Sequence, residues 1–557
     1  MRTRKPTGKF GVEQQLLFGG EYDEVKSVTH VNLPRIADLV NAKVSYMLDD
    51  HKGWVVNPGQ GSDTNDFWSR DNEAVRIAIN MDDGGPFSIS YSYDDAQITS
   101  TAPYFQAIDA GEARFQETAR SGLSIPESQV DIQHHNQTTV ISGSKAALTS
   151  TVGYRELDSR EYSNFDGLFG SQVTPTTSGG DRIEQDQFSI DLRLAGIARD
   201  GELDYIVGAQ NQRENVELTE ASNSGSASVE SFAVYAQGVL GLNERLDLTL
   251  GWRATRDEKT VESLQRDGQT TGDQTKIDDD NTAYEVMLAY QLSEKLRSWL
   301  SLATGFKAAG ASLYADNTNP YDAETSETIE LGFAGTIRED KLDYSIVGFV
   351  SEIDDRQVVF HDPDNLRFTD IVNDRGSNQV DGFELEMAIR PLQALQISAT
   401  YSYLDTDSNP LAEPYAQAGT EFNFMPGAGP ATLARIERAP RHSGSLEVDY
   451  NFARFEAGDL GLHVEYLANS GYFFNPLNNA TDARDVVNVR VNMSKLMLEQ
   501  DSGELAVSVW ARNVLDDKYA VASQYVSEDS FRASQAGQVV SAFGEPATYG
   551  VDIRYMF

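Results

Sequence analysis

The sequence predicts an all-β protein: a transmembrane antiparallel β-barrel of about 22 strands, with short turns at one rim and long loops at the other. Three observations point there. The chain ends on a strand, Tyr549 to Phe557, in which Val551, Ile553, Tyr555 and Phe557 alternate with Gly550, Asp552, Arg554 and Met556. The same period-two alternation recurs along the chain. Short and long connections follow one another between these strands. A closed barrel must pair its first strand with its last, so a chain that stops on an amphipathic strand with a terminal Phe fits closure.

Composition narrows the class. The chain has 557 residues, more than one soluble core of ordinary size holds. It has no cysteine, which removes disulfide scaffolds, thiolate metal sites and Cys nucleophiles. Lys and Arg number 45 against 86 Asp and Glu, a formal charge of -41, which argues against nucleic acid as a partner. The aromatic residues, 24 Tyr, 25 Phe and 5 Trp, are enough to build interfacial girdles. No apolar run of about 18 residues occurs, so no transmembrane helix is expected. A barrel tolerates this because only alternate strand residues face lipid. Arg2, Arg4 and Lys5 are followed by Pro6, Gly8, Glu13 and Gln14, not by an apolar stretch, so no signal peptide is seen.

The strands can be read in order. Lys9 to Phe18 reads as the first. Phe87, Ile89, Tyr91 and Tyr93 alternate with Ser88, Ser90 and Ser92. Phe188, Ile190, Leu192 and Leu194 alternate with Ser189, Asp191 and Arg193. Leu246, Leu248, Leu250 and Trp252 alternate with Asp247, Thr249, Gly251 and Arg253. Tyr284, Val286, Leu288, Tyr290 and Leu292 alternate with Glu285, Met287, Ala289 and Gln291. A soluble sandwich would show the same alternation.

The connections separate the two. Short ones are Asp82 to Pro86, Gly143 to Lys145, Ala198 to Gly201, Leu242 to Glu244, Ser293 to Lys295, and Glu339 to Asp340. Between them lie polar segments: His51 to Asn72, Thr99 to Ser128, Ser159 to Ile183, Asp257 to Asp280, and Ala308 to Glu324. Later long ones are Asp405 to Pro440, Ser470 to Ala483, and Leu515 to Glu545. Tight turns at one rim and long loops at the other are how outer-membrane barrels are built.

Several motifs in order resemble the TonB-dependent outer-membrane receptors. Asn32-Leu33-Pro34 and Gly53-Trp54-Val55-Val56-Asn57 are similar to that family's early barrel. Gly305-Phe306-Lys307-Ala308-Ala309-Gly310 precedes Glu324-Thr-Ser-Glu-Thr-Ile-Glu-Leu-Gly332, which looks like a family strand start. Asn373, Gly376, Val380, Gly382, Glu384 and Glu386 match the Asn…Gly…Val-x-Gly-x-Glu-x-Glu strand. Ala439-Pro440-Arg441-His442 and Val486-Val487-Asn488-Val489-Arg490 follow in family order. Ala511-Arg512-Asn513-Val514-Leu515-Asp516-Asp517-Lys518-Tyr519 looks like the penultimate strand and its exit.

The resemblance implies one β-barrel domain over residues 1–557, in the outer membrane of a Gram-negative bacterium, probed by lipid and lipopolysaccharide. It implies a monomer that imports a scarce small molecule such as a ferric siderophore, using the TonB complex. Family members carry an N-terminal plug and a TonB box; neither is expected in this chain, nor is a cofactor. A barrel this wide encloses a lumen that needs plugging. The alternative expectation is a plug-less fragment acting as a passive pore, or a non-functional remnant.

Ligand-binding candidates are aromatics on the loops: Trp54, Trp68, Tyr104, Phe105, Tyr314, Tyr321, Phe422, Phe424, Tyr472 and Phe473, with Tyr415 and Phe474 beside them. Rigid aromatics give contact area at low entropy cost. The same residues also suit a girdle or loop packing. Lumen-wall candidates are Arg193, Arg253, Glu285, Glu330, Glu384, Glu386 and Arg554. Three acidic stretches could suggest metal: Asp278-Asp279-Asp280, His361-Asp362-Pro363-Asp364, and Asp405-Thr406-Asp407-Ser408-Asn409. None has complete calcium-loop spacing, and they read as solvated loop acids, so no metal site is expected. No zinc-type histidine pair and no G-x-S-x-G elbow occurs, so no catalytic residues are expected.

Overall fold

The computed structural model describes residues 4–58, 66–82, 84–107, 115–119, 126–162, 180–220, 223–266, 269–312, 320–337, 341–361, 369–374, 376–408, 436–455, 458–474, 481–497, 503–526 and 538–557. Its main sheet has 22 strands. They are β1 (Gly11–Gly19), β2 (Val25–Asn32), β3 (Val40–His51), β4 (Arg70–Asp82), β5 (Phe87–Ser100), β6 (Ser128–Ser142), β7 (Ala146–Glu161), and β8 (Asp181–Ala198). Next come β9 (Leu203–Thr219), β10 (Ser224–Asn243), β11 (Leu246–Arg266), β12 (Gln269–Ser293), β13 (Leu296–Lys307), β14 (Glu324–Ile337) and β15 (Leu342–Asp354). The last are β16 (Ser377–Leu392), β17 (Leu395–Asp407), β18 (His442–Phe455), β19 (Gly458–Asn469), β20 (Arg484–Met497), β21 (Glu504–Arg512) and β22 (Thr548–Met556). Each pairs antiparallel with its sequence neighbour, and β1 pairs with both β2 and β22, so the sheet closes.

The closing seam runs from Glu13 opposite Met556 to Gly19 opposite Gly550. Val12 and Phe557 exchange backbone hydrogen bonds of 3.0 and 2.8 Å, so the carboxyl-terminal residue takes part in the ladder. Inside the seam, Gln15 Nε2 donates to Asp552 at 2.6 Å and Arg554 Nε donates to Glu13 at 2.7 Å. Gly550 sits where backbone and ring approach closely. A Cβ there would lie 2.2 Å from the Phe18 carbonyl oxygen and 2.3 Å from the Trp510 ring.

The residues facing out are the apolar ones. Leu250 is 51 % exposed and Trp252 48 %, whereas Thr249 between their neighbours is buried. Phe188, Ile190, Leu192 and Leu194 are all exposed, as are Tyr284, Val286, Leu288, Tyr290 and Leu292. A continuous exposed apolar band is untenable in water and suits a hydrocarbon surround. No helix among the described residues is long and apolar enough to cross a membrane. Above the band, the outermost tyrosines donate to carboxylates one step further along. Tyr46 binds Glu73, Tyr93 binds Asp95, Tyr154 binds Glu156 and Tyr466 binds Asp485. These pairs mark where lipid gives way to water: each ring stays in the band while its hydroxyl reaches a charge.

Four expectations need correction. Asp257 to Asp280 is not a loop: β11 and β12 run 21 and 25 residues and stay paired well beyond the apolar band. Above the band both faces are wet, so the apolar half of the alternation disappears and a paired strand reads as polar loop. The strict alternation of connections also fails, because Gly20–Glu24 and Glu220–Asn223 are short links at the loop rim. The segment from Leu515 to Glu545 carries strands of its own, Ala520–Val526 and Gln538–Phe543, and the second pairs with Gln106–Ala107. The first strand begins at Gly11, not Lys9. The link at Glu339 to Asp340 lies outside the described residues.

Orientation of the last strand gives a first test. Val551 and Tyr549 are exposed while Asp552 is buried and paired with Arg490. Ile553→Arg places a charge on the lipid side and should cost about 2–4 kcal/mol near the midplane. Asp552→Asn keeps the shape of the inward side chain. Urea titration of folding into vesicles should therefore show a far larger loss for the first variant; equal losses would overturn the assignment of faces.

Candidate functional site

Two surfaces are left for function once the lipid face is assigned: the inner wall and the loop rim. On the inner wall stand all seven wall residues named above, each on the face opposite the exposed apolar stripe of its strand. Arg253 donates to Gln210 and Thr255, and Glu285 accepts from Gln237. Glu330 accepts from Ser301, and Arg554 holds Glu13. Arg193 lies between the exposed Leu192 and Leu194 and points the other way. Glu384 and Glu386 line a niche of about 490 Å³ with Thr400, Ser402, Ser443 and Ser445. Hydroxyls and carboxylates from three adjacent strands make it a hydrogen-bonding surface, with Thr400 and Ser445 oxygens 2.7 Å apart.

At the loop rim, the segments after β3, before β4 and after β5 fold on one another. Phe67 is fully buried among Val55, Ala102, Tyr104 and Ala119. Its backbone N–H donates to the Val55 carbonyl at 3.0 Å, and Ala119 N–H donates to Val56 at 2.9 Å. Trp54 stacks on Trp68, with centroids 4.8 Å apart and planes at 16°. Phe67 meets Tyr104 at 4.9 Å. Gly53 is required here, since a Cβ would fall 1.8 Å from the Phe67 carbonyl oxygen. This explains the Gly-Trp pair as a packing motif: Gly53 lets the strand end fold over Phe67, and Trp54 covers it.

A crevice of about 460 Å³ opens beside this core, lined by Tyr22, Lys52, Trp54, Phe115, Glu117 and Lys518. Lys518 lies 4.6 Å from the Phe115 ring centre and donates to Asp516. Lys52 donates to Asp23 at 2.6 Å. Burial, helped by Glu21 and Glu117, pushes the Tyr22 phenol up to about 12, so it stays a neutral donor. The crevice thus offers an aromatic side, a neutral phenol, two ammonium groups, and the carboxylates of Glu21, Asp66, Glu117 and Asp516.

Away from this core the rim is tied down by polar contacts. Arg70 pairs with Glu24 and Asp49, and Arg512 pairs with Glu24, at 3.2 to 3.4 Å. Gln357 Nε2 donates to the carbonyls of Ala308 and Asp322 at 3.0 and 3.1 Å. Asn373 donates to Asp322 and Asp355 and accepts from the Asp322 N–H. These bonds tie Ala308 and Asp322, after β13, to Gln357 and Asn373, after β15. Behind them Asp374, fully buried, is held by Arg356 Nε at 3.1 Å and by Asn378. Burial raises the Asp374 carboxyl above the usual carboxylate range against the opposing pull of Arg356.

The candidates named from sequence divide as follows. Tyr104 is buried in the loop core; Trp54 and Trp68 are half-buried, and Trp54 also borders the crevice. Phe105 is half-buried beside them. Tyr321 is half-buried against Gly310, where a Cβ would meet its hydroxyl at 2.2 Å, on a different part of the rim. Tyr472 packs edge-on against Phe474 at 5.1 Å, and the Phe473 carbonyl accepts from Arg438. Tyr314, Tyr415, Phe422 and Phe424 lie outside the described residues. The structure thus brings Trp54, Trp68, Tyr104 and Phe105 together and leaves Tyr321 and Tyr472 apart from them.

The acidic stretches do not converge. Asp278 and Asp280 face out from β12 while Asp279 faces in and accepts from the Ala309 N–H at 2.8 Å. Asp405 pairs with Arg441. His361 begins a stretch that continues outside the described residues. Among the described residues no group of three or more potential metal ligands occurs. Sequence reasoning missed Gln357, Asp374, Asn378, Phe115 and the two lysines. Asn373 and Asn513 were visible as motif residues, and their work is structural: Asn513 donates to the Asp517 and Glu545 carbonyls and accepts from the Asp517 N–H.

Residues 32–514 match the family described as TonB dependent receptor-like, beta-barrel. The chain belongs to this TonB-dependent receptor barrel family. Among curated relatives it is 26% identical over 157 residues to the pesticin receptor of Yersinia enterocolitica, a match spanning 26% of this chain and 23% of that receptor. Its fold is shared with the ferric yersiniabactin uptake receptor FyuA from Yersinia pestis, at TM-score 0.80 and 16% identity, covering 100% of this chain and 81% of that one. The siderophore receptor PiuA from Acinetobacter baumannii superposes at TM-score 0.75 and 14% identity, with 100% and 82% covered.

Two tests follow from the TonB-dependent barrel's rim. Phe67→Ala empties a fully buried site and should cost about 3–5 kcal/mol, all of it in the loop core. Protease cutting at the rim should rise while membrane insertion is kept; unchanged cutting would mean the core does not hold the loops. Asp374 supplies the second. Its folded pKa is raised, so the folded loop binds the proton more tightly, and stability falls as pH rises through that value. With the intrinsic pH dependence of amide exchange divided out, protection around Arg356 and Asn373 should be higher in acid than at alkaline pH, and Asp374→Asn should flatten the difference.

Proposed function

We propose that this barrel is the transmembrane part of an energised importer in a Gram-negative outer membrane, taking up a ferric siderophore or a similar scarce chelate. The carrying observation is the pairing of a closed, polar-walled barrel with an aromatic crevice at the loop rim. The loop rim faces the medium and the turn rim faces the periplasm, in keeping with how such barrels are built. The names of the fold relatives, a ferric yersiniabactin uptake receptor and a siderophore receptor, support this ligand class. Trp54 and Phe115 suit a ligand's ring or chain, and the neutral Tyr22 with the crevice's ammonium and carboxylate groups suits its polar atoms. The polar inner wall, with the Glu384–Glu386 niche, would seat a plug through which the TonB complex acts. Outer-membrane lipid and lipopolysaccharide would surround the apolar band. No chemistry is done on the ligand.

The test is growth of a receptor-deleted strain on a panel of iron sources, restored with the full-length gene. Shortening the loop between Ala311 and Pro320, or removing 409–435, should abolish uptake on the matching source while leaving insertion intact, since the strand ladders are untouched. Full uptake with both deletions would leave the binding site to the crevice or the inner wall. A passive pore is the second reading, favoured by Glu285, Glu330 and Glu386 on one open wall. Residues 1–557 reconstituted alone in planar bilayers should then conduct and prefer cations. A silent insertion would remove that reading.

A further inference from the structure

The crevice beside the loop core carries more negative charge than positive. Among the described residues its walls hold four carboxylates, Glu21, Asp66, Glu117 and Asp516, against two ammonium groups, Lys52 and Lys518. Both ammonium groups are already engaged. Lys518 donates to Asp516 at 2.6 Å and lies 4.6 Å from the centre of the Phe115 ring, so a ring face and a carboxylate hold one cation together. Lys52 donates to Asp23 at 2.6 Å. The acids are less fully engaged. Asp66 accepts the Asn57 N–H at 2.9 Å, while Glu21 and Glu117 stand exposed and hold no cation among the described residues. Tyr22 senses the same sign: burial first, then Glu21, Glu117, Glu545 and Asp516, keep its phenol neutral.

We propose that this crevice recognises an organic cation, an ammonium or guanidinium group carried on an apolar or aromatic stem. The faces of aromatic rings carry negative quadrupole charge and attract such a group, and Tyr22, Trp54 and Phe115 line the walls. Glu21 and Glu117 supply carboxylates to pair with it. Val56 and Pro546 give its stem apolar contact. An anion would meet like charge, with both lysines bound elsewhere. The Lys518 ammonium between Phe115 and Asp516 already shows, within the chain, the contact that a ligand's cation would make. The inference rests on the importer reading for its biological use: there it assigns a basic side group to the chelate that enters.

The test uses the 557-residue chain in detergent and three probes on one ring. They are 2-phenylethylammonium, 2-phenylethanol and 3-phenylpropionate, compared by saturation-transfer NMR. The ammonium signal should exceed the other two several-fold. Glu21→Gln with Glu117→Gln should remove most of that preference, while Glu217→Gln, an exposed acid on β9, should leave it unchanged. Lys518→Gln frees the Phe115 face and Asp516, so it should strengthen binding of the ammonium probe several-fold. An anion site would respond to that change in the opposite way. Folding of each variant is checked by heat-dependent mobility. Equal signals from ammonium and alcohol, a stronger carboxylate signal, or weaker ammonium binding by Lys518→Gln would overturn the proposal. The growth panel tests the importer separately: growth without cation preference strikes only this inference, and cation preference without growth strikes only the importer.

Discussion

Every backbone group in the bilayer must find its partner inside the protein, and the rest of this structure depends on that constraint. An open sheet would leave two unpaired edges in hydrocarbon. Here the edge is removed by joining Val12 to Phe557 and continuing the ladder to Gly550. Closure fixes register, and register fixes faces, because a slip of one residue would turn every apolar side chain inward. The buried Asp552 next to the exposed Val551 is a local result of that rule. So is the need for Gly550, where Trp510 and the Phe18 carbonyl leave no room for a side chain.

With the faces fixed, polarity sorts the molecule by height. In the band, outward residues are apolar and inward ones are hydrogen-bonded. At the upper edge, tyrosines hand their hydroxyls to carboxylates. Above it both faces are polar, and β12 rises well past β13, which pairs with it only as far as Glu285. The tall wall does not stand free on its inner side: Asp279 and Lys259 hold the backbone at Ala309. That contact begins a chain through Gln357, Asn373 and Asp374 that joins loops from separate strands into one shelf.

The sequence made the barrel legible where water and lipid compete for opposite faces of one strand. Phe188 to Leu194 and Tyr284 to Leu292 could be assigned by alternation alone. It failed where that competition stops. Asp257 to Asp280 lost its apolar half above the membrane and looked like a loop, though hydrogen bonding keeps it a ladder. Loop aromatics were legible as residue types but not as roles. Tyr104 is packed away and Trp54 borders a crevice, a difference set by contacts with Phe67 and Phe115 that lie far off in sequence. The polar ties of the rim were hidden for the same reason: nothing local distinguishes Gln357 or Asn378 from a solvated amide.

The account rests on the first and last strands being neighbours, so the most direct measurement is across the seam. Gln15 and Arg554 are opposite each other in the ladder. Directly opposed strand residues sit about 4.5–5.5 Å apart, within reach of a disulfide. A Gln15→Cys, Arg554→Cys pair in this cysteine-free chain should close on oxidation in the membrane and lock the folded form against heat. If both thiols instead remain open to a water-soluble maleimide while the protein is folded, the seam is not where the structure puts it.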